Sequence, residues 1–300
     1  MKILLLGANG QVGWECQRSL SIMGHLDIHD QETADFLNPG QLRRVIRNSQ
    51  PDVIVNAAAY TAVDQAEADS VKAYKVNSEA VSLIAEEAKK LDAYLIHYST
   101  DYVFDGNRPG FYSEEAETNP QSVYGKSKRE GELAIIESGC KFYILRTSWV
   151  YAYRGNNFAK TMIKLAQERD ELKVVSDQVG APTSAELIAD VTALLVYLCR
   201  QQPNLTEHAS GIYNLVAAGE ASWFEFAKNV LLRAEQLGLP LRVTAETIIP
   251  ISTSEFPRPA KRPANSRLNT DKLKKFLNIE LPHWQYQVNK MVTEYLENHS

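Results

Sequence analysis

The 300 residues are enough for one large core, or for a main domain with a smaller companion. With 44% hydrophobic and 23% charged residues the chain is not a disordered one, and a formal charge of −5 gives no overall electrostatic reason to bind nucleic acid or an anionic membrane. The apolar start runs into glycines rather than a cleavage site, and no stretch reaches the length of a membrane span, so a cytoplasmic protein is expected. Cys16, Cys140 and Cys199 are odd in number and far apart, which predicts reduced core thiols rather than disulfides or a zinc site.

The first element, "KILLLG", reads as a buried strand. It enters "GANGQVG", with Gly7, Gly10 and Gly13 leading into a helix that starts near Gln11. Glycines let a backbone turn tightly against a pyrophosphate, whose charge is then held by amides at the helix start, Gln11 and Val12 included. "LDIHD" is a weaker second strand. Asp30 ends it, about 20 residues past the glycines, where a carboxylate accepts hydrogen bonds from an adenosine ribose and repels a 2′-phosphate. Asp35 and Phe36 lie just beyond and are candidates to flank the adenine. The choice between NADH and NADPH stays open.

"DVIVNAAA" is the third strand and places Ala57, Ala58 and Ala59 at its end. "AYLIHYS" is the fourth, and "YSTDYVFDG" puts Ser99, Thr100 and Asp101 at its C-terminal end, where open parallel sheets bind ligands. Tyr124 and Lys128 follow in "SVYGKSK". Four residues apart on a helix, a phenol and an ammonium share one face, whereas Lys126 points elsewhere. "YQVNK" repeats that spacing with Tyr286 and Lys290, but without a glycine turn or a threonine-bearing strand end before it.

"FYILRTSW" is the fifth strand, and strands alternating with helices predict a doubly wound α/β fold with a Rossmann-like parallel sheet. After Trp149 long amphipathic helices dominate. The reading is a dinucleotide-binding domain over 1–150 and a smaller, mainly substrate-binding domain over 151–300, with segments near 172–200 and 211–217 returning to the first. The prolines of "FPRPAKRPANSRL" exclude a regular helix there. Trp284, Val288, Met291, Val292 and Tyr295 mark the apolar face of a closing helix.

The glycine spacing, "NAAA", Thr100 and the Tyr124/Lys128 pair match, in order, the motifs of the extended short-chain dehydrogenase/reductase superfamily, which the chain resembles. Within it, "GQVGWE", "VIVNAAAYTAVDQAE", "HYSTDYVFDG", "YGKSK", "RTSWVY", "NNFAKTM", "DQVGAPT" and "RPANSRLNT" are similar to the dTDP-4-dehydrorhamnose reductase family, almost end to end. The resemblance implies hydride transfer from NADH or NADPH to the C4 ketone of a dTDP-linked 4-keto-6-deoxy sugar. By it Tyr124 gives the proton, Lys128 holds the nicotinamide ribose and lowers the phenol pKa, and Thr100 positions the substrate oxygen. Asp101, Trp149, Asn156 and Asn157 then face the sugar nucleotide, and Arg258, Arg262 or Arg267 its diphosphate.

Two further implications follow from the resemblance. Glu15, Glu186 and Glu294 match acidic residues that bind magnesium at a homodimer interface in some members. Sugar-nucleotide dehydratases carry an Asp-Glu pair after the threonine. Here Tyr102 follows Asp101, which favours simple reduction. A nucleotide-sugar epimerase, or a noncatalytic subunit like the beta subunit of methionine adenosyltransferase, are the alternatives.

Overall fold

A computed structural model describes residues 1–202 and 208–298. Six parallel strands form its central sheet. They are β1 (Lys2–Leu6), β2 (His25–His29), β3 (Val53–Asn56), β4 (Tyr94–Thr100), β5 (Lys141–Thr147) and, far along the chain, a strand at Gly211–Asn214. Their spatial order is β2, β1, β3, β4, β5 and then Gly211–Asn214 at the opposite edge.

Alternate residues of each strand feed two cores, because successive side chains leave opposite faces of a sheet. Ile3, Leu5, Val53, Val55, Ile96 and Leu145 face one core, and Leu4, Leu6, Ile54, Leu95 and Ile144 the other. This explains the near-continuous apolar strands: both faces are covered by helices. The first core takes α1 (Gln11–Leu20) and the long helix Ala185–Gln201, which pack on each other. The second takes α2 (Pro39–Ser49), the helix Ala80–Lys90 and the helix Val123–Ser138.

The helix Val123–Ser138 carries Tyr124 and Lys128. Ser122 caps its start by accepting from the Gly125 amide at 3.1 Å, and Gly139 closes it in the left-handed region at φ 67°. Two internal glycines let it lie directly on neighbouring backbone. A side-chain carbon at Gly125 would collide with the Tyr102 carbonyl oxygen, and one at Gly131 with that of Asn77. One turn beyond Lys128, Glu132 is buried and makes a two-pronged ion pair with buried Arg146 of β5, at 2.8 Å from both Nε and Nη2. Arg129 adds a third bond to Glu132 at 3.0 Å.

A third cluster, built from Met162, Ala166, Leu172, Val174, Ala227, Leu231, Val243 and Ile248, lies in the later part of the chain. It joins the helices Phe158–Glu168 and Trp223–Gln236 to short strands at Lys173–Val175 and Ile249–Ile251. The closing helix Trp284–Glu297 buries Trp284, Val288, Met291 and Val292 and leaves Tyr286 at 69% exposure. All three cysteines are buried, and none is in a disulfide among the described residues. No helix among the described residues is long and apolar enough to cross a membrane.

Candidate active site

The turn after β1 is fixed by Gly7, whose φ of 81° belongs to the left-handed region and whose added Cβ would sit 2.5 Å from the Ala58 amide nitrogen. The turns after β1 and β3 therefore touch, and between them opens a cleft of about 390 Å³. Gly7, Gly10, Asp30, Asp35, Phe36, Ala57, Ala58 and Ala59 line it, with Lys72 as the cation among its lining residues. A missing side chain at Gly7 and backbone amides at a helix start form a cradle suited to a pyrophosphate, so these residues fit a dinucleotide.

Other expected coenzyme residues take supporting places. Gln11 receives a hydrogen bond from Asn157 Nδ2 at 3.3 Å, Val12 packs against the first core, and Gly13 is buried beneath the Gly7 turn. Asp30 is an organiser of its own loop: Oδ1 accepts from the amides of Glu32 and Thr33, each at 3.1 Å, and Oδ2 from Asn9 at 2.8 Å. These bonds, Thr33's first, hold its carboxyl below the usual range.

At the C-terminal end of β4, Thr100 is buried and donates to the Asp101 carboxylate at 3.0 Å, with the Tyr124 phenol close enough to feel its hydroxyl. Ser266 donates to the other Asp101 oxygen. Burial pushes Asp101 up to about 6 against the pull of those hydrogen bonds. Tyr124 is pushed up to about 12, by burial above all, with the Thr100 bond opposing and the Asp101 charge adding to the rise. The phenol therefore keeps its proton near neutrality.

Here the geometry departs from expectation. The anticipated lowering of the phenol by Lys128 does not occur in this arrangement, because the lysine is turned toward β4. Its Nζ lies 2.7 Å from the Tyr98 carbonyl oxygen and 3.0 Å from His97 Nε2. Burial brings Lys128 itself down to about 8, opposed by the Glu132 charge. His97 was missed in the sequence reading. Its signal was a lone imidazole inside the apolar run "YLIHYS" of a central strand.

Residues expected around a sugar nucleotide divide. Trp149 adopts φ 50° and stacks on Trp223, ring centroids 3.8 Å apart, a partner absent from the sequence reading. Tyr102 meets the Tyr124 ring edge-on at 5.4 Å. Arg262 pairs with Asp64 at 3.1 Å, 198 residues away in sequence. Asn157 caps the helix Phe158–Glu168 through the Lys160 amide at 3.2 Å, whereas Asn156 is exposed. Arg258 is exposed over the Phe256 ring, and Arg267 is tied to Asn265 at 2.8 Å and Glu220 at 3.4 Å.

Comparison with known proteins decides the family. A family model described as RmlD substrate binding domain matches residues 1–297. A dTDP-4-dehydrorhamnose reductase of Escherichia coli K12 is 46% identical, with 98% of each chain covered. Its counterpart in Burkholderia thailandensis is 47% identical, with 99% of each covered. The chain belongs to this family. A solved dTDP-4-dehydrorhamnose reductase of Bacillus anthracis, in complex with NADP, superposes with a TM-score of 0.86 at 35% identity, covering 98% of this chain and all of that one.

The structure gives no support to the expected magnesium. Among the described residues no group of three or more metal-ligating side chains is placed to hold an ion, so the expectation for Glu15, Glu186 and Glu294 is not supported. The cation against Glu186 and Glu294 is the Lys290 ammonium, at 2.8 and 3.6 Å. Glu15 is raised by burial and then by Glu186, and its near cation is Arg18 at 3.8 Å. Removing divalent metal with a chelator is accordingly expected to leave the sedimentation mass unchanged; a fall in mass would restore a metal bridge.

Proposed function

We propose that this chain reduces the C4 ketone of dTDP-4-dehydro-β-L-rhamnose with NADPH or NADH, giving dTDP-L-rhamnose. The observation that carries the reading is the Thr100–Tyr124 hydroxyl pair at the end of β4, with a phenol that remains protonated at neutral pH. A bound reduced nicotinamide supplies the hydride. Tyr124 gives its proton to the oxygen at C4 as that oxygen gains negative charge, and Thr100 orients the same oxygen by swinging its one hydroxyl proton to it from Asp101. Proton transfer from a phenol to a far more basic alkoxide is downhill, so a raised phenol pKa does not hinder reduction. Asp101 opposes ionisation of Tyr124, which keeps the acid loaded between turnovers.

The coenzyme part comprises 1–150 with 172–200 and 211–217, supported by the pairing of Gly211–Asn214 with β5 and the packing of Ala185–Gln201 on α1. Trp149, Asp101, Asn156, Asn157 and the arginines 258, 262 and 267 serve the sugar nucleotide, and the protein works in the cytoplasm. The reading includes a homodimer, supported by large apolar side chains at solvent, Trp14 on α1 and Leu194 and Tyr197 on Ala185–Gln201. The deciding assay mixes the protein, NADPH or NADH and a dTDP-4-keto-6-deoxy sugar, with and without a 3,5-epimerase, and follows absorbance of the reduced coenzyme. Loss of absorbance is expected; none with either coenzyme sinks the proposal.

Asp30 sets the coenzyme preference in this reading. Asp30→Ala removes a negative charge from the cleft and is expected to raise the ratio of kcat/KM for NADPH over NADH several-fold. An unchanged ratio would mean that Asp30 serves only its own loop.

A further inference from the structure

Three contacts in series cross the sheet from the coenzyme cleft to Lys128, a fourth runs on from Lys128 to the Tyr98 carbonyl, and one end fixes their direction. The Ala58 amide can only donate, and it donates to Asn56 Oδ1 at 3.1 Å. That turns the Asn56 amino group, Nδ2, toward His97 Nδ1 at 3.1 Å. An amide nitrogen donates, so Nδ1 must accept and carry no proton. Burial above all holds His97 far below its ordinary pKa, and the Lys128 charge adds to this only while Lys128 is protonated, so the ring is neutral and its proton is on Nε2. Nε2 lies 3.0 Å from Lys128 Nζ. A donor aimed at that nitrogen needs a lone pair there, which an amine has and an ammonium lacks. The amine's own N–H reaches the Tyr98 carbonyl at 2.7 Å.

We propose that Asn56 and His97 form a directional relay that couples the charge on Lys128 to the Ala58 amide at the wall of the coenzyme cleft. His97 is a positioning residue, and the proposal rests on the proposed reductase function with Lys128 holding the nicotinamide ribose, as the family resemblance implies. With Lys128 as the amine, all four contacts are satisfied. When Lys128 takes a proton from solvent, Nε2 must accept. His97 keeps one proton but carries it on Nδ1, facing the Asn56 amino group, donor against donor. The carboxamide must turn and release Ala58. Other groups near Lys128 do not share this directionality: Tyr124 stands one turn before it, and Glu132, one turn after, is committed to Arg146 and Arg129. Binding at the cleft and protonation of Lys128 are thereby linked, since each alters the other's preferred state.

The tautomer is directly readable. In protein labelled with 15N-histidine, two-bond proton–nitrogen spectra distinguish the two ring nitrogens, and the His97 signals are those lost in His97→Gln. Protonated Nε2 is expected at alkaline pH, passing to protonated Nδ1 with a midpoint of about 8, together with the Lys128 side-chain carbon shift. Asn56→Asp keeps the shape but accepts from both Ala58 and His97 Nδ1, so it should hold protonated Nδ1 throughout. In that variant the limb of kcat/KM against pH should also move upward, where damage to packing alone would lower the plateau and leave the limb in place. Protonated Nδ1 at alkaline pH in the unaltered protein, or a tautomer that stays constant while Lys128 titrates, overturns the relay. The unaltered protein decides this even if Asn56→Asp fails to fold. Because the spectra need no substrate, their outcome is separate from that of the reductase assay.

Discussion

Tyr124→Phe is expected to slow ketone reduction by roughly 10²- to 10⁴-fold, the usual loss when a general acid is removed. The ring stays, so its edge contact with Tyr102 and the start of its helix survive, and coenzyme binding followed by fluorescence should be unchanged. Tyr286→Phe is the matched control. It makes the same chemical change at the same spacing from a lysine, but Tyr286 is 69% exposed and Lys290 is held by Glu186. Turnover should be nearly intact in that variant. Comparable activity in the two would show that the hydroxyl of Tyr124 gives no proton to substrate.

The second large effect is on stability. Glu132→Ala leaves the buried Arg146 guanidinium without its carboxylate, and breaking one side of a buried pair costs about 3–5 kcal/mol. Denaturant unfolding with linear extrapolation measures it. The double variant Glu132→Leu with Arg146→Met should recover most of the loss, because no buried charge is then left unpaired. A Glu132→Ala loss under about 1 kcal/mol would mean that water reaches Arg146. The same pair ties the helix carrying Tyr124 and Lys128 to β5. Glu132→Gln should also lower the Lys128 pKa further, since the Glu132 charge is what opposes its fall.

Much of the sheet was legible because its strands are apolar on both faces, a pattern that only burial between helices explains. β2 read weakly for a physical reason: it is an edge strand, and its exposed His25 and partly buried Asp27 and His29 break the apolar run. The two-residue pairings, such as Ala221–Ser222 with Val179–Gly180, left no trace, since so short a strand has no periodicity and its partner is distant. At the site, the glycine turn and the placement of Tyr124 and Lys128 on one helix followed from local spacing. The direction of the lysine did not. It depends on His97 from β4, which is a tertiary neighbour. The Asp64–Arg262 and Trp149–Trp223 contacts were hidden likewise, each joining residues well separated along the chain.

The glycines at 125 and 131 bear on any attempt to make a sturdier enzyme. Replacing helical glycine by alanine is an ordinary route to heat resistance, gaining about 0.4–1 kcal/mol where the backbone permits. On the helix of Tyr124 and Lys128 that route is closed, because the new methyl would strike a main-chain carbonyl rather than a side chain able to swing away. The helix carrying the catalytic pair thus has poor helix formers at two places, where it lies against neighbouring backbone. An engineer would turn instead to Gly40 near the start of α2, where an added methyl meets only Asn38 Oδ1 at 3.5 Å.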